Sequence, residues 1–112
     1  MLEITQNAES IHARLDGEIT IFQADELFSL LKPLVVDDKD LTLDTGSVNE
    51  MDSSAVQILL VMRDALEANG KELTLVNHSD SVLDIMAVMG MSGCFNDPVL
   101  ESGERAKGAS ES

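Results

Sequence analysis

The stretch Ser47-Val-Asn-Glu-Met-Asp-Ser-Ser-Ala-Val-Gln-Ile-Leu-Leu-Val-Met-Arg63 decides how this chain folds. It follows Asp40-Leu-Thr-Leu-Asp44, a short alternating run that reads as a strand with Leu41 and Leu43 on one face. A polar turn then leads to Asp52-Ser53-Ser54, whose side-chain oxygens suit the free N–H groups of a helix's first turn. Apolar residues recur beyond it, so a helix is expected from Ser53 to about Ala68, with Leu59, Met62 and Leu66 facing inward. Asn69-Gly70 ends it, since both residues tolerate the left-handed backbone that closes a helix. The helix mouth also has chemistry. A phosphate added to a hydroxyl there gains backbone N–H partners and a favourable dipole field. A plain N-cap needs the same residue types, and local chemistry leaves both roles open.

Upstream, Leu2 and Ile4 begin one alternating strand and Ile11, Ala13 and Leu15 a second, across Asn7-Ala8-Glu9; together they read as an antiparallel pair. Asp16-Gly17-Glu18 reads as a turn or bulge at its end. Thr20 is a candidate cap for a helix over about residues 21–31, with Phe28 and Leu31 on its inward stripe and Leu27 and Leu30 beside them. Pro33 is expected to stop that helix, leaving residues 35–39 as an exit loop. Downstream, Leu73, Leu75 and Val76 form a strand, and Ser79 or Asp80 caps a helix running through Met86 and Met89 to Gly90. A last extended piece is expected around Val99-Leu100. The Gly-, Ser- and charge-rich residues 101–112 read as a disordered tail after a single domain over 1–100. Strand, helix, strand, helix in alternation predicts an α/β fold: a mixed sheet of about four to five strands with helices packed on it, and a parallel crossover from Leu41 to Val76.

Composition narrows the function. The chain is 112 residues long and 44% apolar, yet only 3% aromatic with no Trp or Tyr, so the core must be aliphatic. With 21 acidic against 7 basic residues the net charge is -14, which repels phosphate backbones and argues against nucleic-acid binding. No apolar run is long enough to insert in a membrane, and the single Cys94 fits a reducing compartment, so a cytoplasmic location is expected.

The succession of motifs resembles the STAS domain, the sulphate-transporter and anti-sigma-factor-antagonist fold. The residues that carry the likeness are Gly17-Glu18 before the first helix, Met51-Asp52-Ser53-Ser54 opening the next, Asn69-Gly70-Lys71 before Glu-Leu-Thr-Leu-Val, and Val88-Met89-Gly90-Met91. It spans roughly residues 2–100. In single-domain bacterial members the Ser or Thr after that Asp is phosphorylated by an anti-sigma factor of the histidine-kinase-like ATPase fold. The resemblance therefore implies Ser53 as phosphoacceptor, with Asp52 and Ser54 supporting it. The family usually has Gly where this chain has Ala55. The segment Asp16-Gly-Glu-Ile-Thr-Ile-Phe-Gln-Ala-Asp-Glu-Leu27 also resembles a subgroup found beside chemotaxis genes, which makes a chemotaxis-associated regulator a second kind of partner.

The expectation is a non-enzymatic phospho-switch, needing no cofactor or metal, acting as a monomer or weak dimer. Its partner surface is expected at Ala55, Val56, Gln57 and Leu60 on the switch helix, with Met91 nearby. Glu50, Asp52 and Asp64 would select a basic partner. The alternative is a constitutive accessory subunit that docks on a transporter ATPase, with Ser53 as a cap only. A hydrolase built on Ser53 and His78 lacks both a strained nucleophile elbow and an oxyanion loop. His12 has no second ligand at metal spacing, and Cys94 reads as a packing residue.

Overall fold

Alternation between apolar and polar residues builds the centre of the sheet. The computed structural model describes residues 1–6, 9–37 and 39–91. In it β1 (Leu2–Gln6) pairs antiparallel with β2 (Ser10–Ile19). On β2, Ile11, Ala13 and Leu15 are buried while His12 and Arg14 face water. β2 in turn pairs in parallel with β3 (Asp40–Met51), and β3 in parallel with β4 (Leu73–Val76), giving the order β1-β2-β3-β4. This is the mixed sheet that the strand–helix alternation predicts, with four strands among the described residues. The expected piece around Val99-Leu100 and the tail lie outside them.

β3 runs well past Asp44. The segment read as a polar turn is extended backbone paired with the far end of β2: Asp16 with Ser47, Gly17 with Val48, Glu18 with Glu50, Ile19 with Met51. Register shifts between Arg14 and Asp16, and between Gly17 and Glu18, mark irregularities that let both strands continue. Gly17 takes φ 82° there, a conformation that favours glycine. The pairing hides Val48 and Met51 and leaves Asn49 and Glu50 in solvent, so no simple alternation shows in the sequence.

Thr20 does cap a helical turn, but the first turn is 3-10 (Ile21–Gln23) and α1 proper spans Ala24–Val36. Pro33 lies inside it rather than ending it. The helix continues because Leu34 and Val35 are buried beyond the proline, completing a stripe with Leu27 and Leu31. Phe28, expected inward, is 40% exposed, and Leu30 is half-buried. α2 (Ser53–Ala68) packs against α1 and the sheet with Leu59, Met62 and Leu66 buried as expected, and Gly70 follows at φ 75°. α3 (Asp80–Val88) is capped by Ser79, whose hydroxyl accepts from the Val82 N–H at 3.3 Å. It covers β3 through Val82 and Met86.

Candidate functional site

The start of α2 is fixed by one carboxylate. Asp52 sits at the N-cap in extended conformation, and its Oδ1 accepts from the N–H groups of Ser54 (3.0 Å) and Ala55 (3.3 Å). Its Oδ2 accepts from the Ile21 N–H at 2.9 Å, 31 residues away in sequence. The Asp52 N–H in turn donates to the Ile19 carbonyl at 3.4 Å. One side chain therefore closes two helix entrances and holds them against each other.

Capping thus belongs to Asp52, and Ser53 is left with a different position. It is the first residue of α2, and it is exposed. Ser54, one residue on, is half-buried and turned about 100° around the helix axis. A phosphate on Ser53 would stand at the positive end of a 16-residue helix. The surroundings are acidic: neither residues 15–31 nor residues 40–62 contain a Lys or Arg, and Glu18 and Glu50 face each other across the β2–β3 ladder. Arg63, the first cation along α2, lies against Asp64 with its guanidinium 2.9 Å from the carboxylate.

The expected partner surface needs correction. Ala55 and Val56 are fully buried. They lie four and three residues before Leu59, on the face that enters the core, and cannot form a docking surface. Gln57 is exposed and Leu60 half-buried, so these two remain on the accessible flank. Met91 is half-buried against the core, and its N–H donates to the Met86 carbonyl at 2.8 Å.

His78 is committed elsewhere. Its Nδ1 lies 2.9 Å from the Thr45 hydroxyl, which donates to the Val76 carbonyl at 3.3 Å. The imidazole is thereby tied to the junction of β3 and β4. Thr45 is fully buried, and this pairing satisfies its hydroxyl. Among the exposed apolar residues, Ile21 (65%) and Phe22 (90%), given no surface role by the sequence, stand on the turn that Asp52 holds. Their apolar character beside a capping box was visible, but nothing local showed that the helix behind them buries a different stripe.

A family model described as "Mlab, STAS domain" matches residues 2–101. The anti-sigma-B factor antagonist of Bacillus subtilis is 26% identical over 90 residues, covering 80% of this chain and 83% of that protein. The protein of the same name from Staphylococcus aureus is 25% identical over 91 residues, covering 80% and 84%. Among solved structures, the unphosphorylated form of the anti-sigma factor antagonist SpoIIAA superposes with a TM-score of 0.73 at 20% identity, covering 96% of this chain and 97% of that one.

Proposed function

We propose a function from one premise: the chain belongs to the STAS domain family. It is a partner-switching regulator of the anti-sigma-factor-antagonist kind, controlled by phosphorylation of Ser53. The observation that carries this is the division of labour at the α2 entrance. Asp52 does the capping, and Ser53 offers an exposed hydroxyl that the fold does not use as a cap. The family relatives that carry the name anti-sigma-B factor antagonist support the same reading, as does the existence of SpoIIAA in a phosphorylated form. The partner is a serine kinase that is an anti-sigma factor of the histidine-kinase-like ATPase type, or else a chemotaxis-associated regulator.

The mechanism is electrostatic. Unphosphorylated, the α2 mouth and its flank at Gln57 and Leu60 dock the partner. Phosphorylation adds a charge of about -1.5 to -2 to a surface already acidic, with no cation near in sequence to receive it. Repulsion and desolvation then break the contact, and the domain itself keeps its shape.

Incubation with the purified kinase and labelled ATP tests this. Ser53→Ala is expected to abolish labelling and Ser54→Ala to retain most of it; labelling that survives Ser53→Ala refutes the assignment. Intact-mass measurement on protein from its own cell separates the accessory-subunit alternative. A chain that stays unmodified in every growth condition while bound to a transporter ATPase would establish that reading instead.

A further inference from the structure

We propose that Phe22, with Ile21 beside it, is the apolar anchor by which a partner protein with a basic surface docks next to Ser53. The inference rests on the partner-switching reading and adds the contact that gives it affinity. Phe22 is 90% exposed and Ile21 65%, in a chain with only three Phe and no Trp or Tyr. Single exposed apolar residues are ordinary. These two sit on a turn fixed both by its own capping box and by Asp52 of the next helix entrance.

The backbone of the turn is bonded at every step. The Thr20 hydroxyl accepts from the Phe22 N–H at 3.3 Å, and the Gln23 Oε1 accepts from the Thr20 N–H at 2.9 Å and from its hydroxyl at 2.8 Å. The Gln23 N–H returns to the Thr20 carbonyl at 3.0 Å, and the Ile21 N–H reaches Asp52. An aromatic side chain on a rigid turn loses little entropy when a partner covers it, which is the property of an interface hot spot. The fold does not need it: α1 buries Leu27, Leu31, Leu34 and Val35 instead.

Its position and charge identify the occupant. Asp52 bonds Ile21 on one side and precedes Ser53 on the other, so the anchor and the phosphoacceptor share one support. Around them Glu18, Asp25, Glu26 and Glu50 are all exposed, and the two segments that carry them hold no Lys or Arg. Like charges facing each other, as Glu18 and Glu50 do, cost stability in an isolated sheet. An Arg- or Lys-rimmed pocket that receives Phe22 would satisfy both the apolar and the acidic parts.

The test uses the full chain and each histidine-kinase-like anti-sigma factor of the source organism, purified and titrated calorimetrically, with labelling of Ser53 followed in parallel. Phe22→Ala is expected to weaken binding by about tenfold or more with its melting transition unchanged, and higher salt to weaken the wild-type contact. Val36→Ala serves as control. Val36 is 73% exposed at the other end of α1, ~20 Å away along the helix, and its variant should bind like wild type. Wild-type affinity in Phe22→Ala, with Ser53 still labelled, overturns the anchor and leaves the switch standing. Failure of every such kinase to bind or to label Ser53 overturns the switch, and the anchor with it. A wild-type dimer in sedimentation that Phe22→Ala dissolves would assign the residue to self-association and overturn the partner assignment.

Discussion

Removing the Asp52 carboxylate should cost more stability than any change at Ser53. Asp52→Ala deletes an N-cap that serves two N–H groups of α2, a loss of about 1 kcal/mol. It also deletes the acceptor of the Ile21 N–H. A hydrogen bond to a charged group is worth roughly 1.5–3 kcal/mol. Ile21 is exposed, however, so water takes over the freed N–H and about 1 kcal/mol is the better figure. The sum is about 2 kcal/mol, which for a domain near this size lowers the melting temperature by roughly 8–16 °C. Asp52→Asn keeps an acceptor for the cap and loses the second one, so it should fall about halfway. Ser53→Ala removes a hydroxyl that caps nothing, and should stay within about 0.5 kcal/mol of wild type. With no Trp or Tyr to report by fluorescence, urea unfolding is best followed by circular dichroism at the helix band. A Ser53→Ala loss above about 1 kcal/mol, or an Asp52→Ala loss below about 0.5 kcal/mol, would show that the capping roles are reversed.

Two further expectations concern the core that carries the site. Leu59→Ala should destabilise by roughly 2–5 kcal/mol, because the side chain is fully buried between α2 and the sheet; a urea-measured loss under about 0.5 kcal/mol would contradict the inward face of α2. Gly46→Ala should cost about 1–3 kcal/mol, since a Cβ there would come within 2.7 Å of the Asn77 carbonyl oxygen. An unchanged unfolding midpoint in Gly46→Ala would mean that β3 and the β4–α3 turn can part without penalty.

The parts of the fold legible in the sequence are those decided locally. Asp52, Thr20 and Ser79 all cap helical turns as their chemistry predicts, and Gly70 and Gly90 take the positive φ that ends a helix. What escaped was decided across space. Residues 45–51 carry turn-like chemistry, yet β2 offers them a ladder, and pairing outweighs propensity. Pro33 was overruled by the burial of Leu34 and Val35 behind it. The misplacement of Ala55 and Val56 was avoidable: stepping back four and three residues from Leu59 already puts both inside. For Ile21 and Phe22 no such signal existed, because exposure depends on which stripe α1 turns to the sheet.

The sheet ends, among the described residues, in two outer strands, β1 and β4. An unpaired strand edge is a template on which another molecule can add a strand, the usual beginning of aggregation. Here β4 is only four residues long and is followed by Asn77, whose φ of 62° breaks the extended run. β1 carries Glu3, ion-paired to Arg14 on the neighbouring strand, so its edge is marked by charge. Mutual repulsion between copies bearing a net charge of -14 does the remainder. The acidic surplus therefore acts as a colloidal stabiliser. It keeps like molecules apart at the distances where the outer strands and an exposed phenyl ring would otherwise meet.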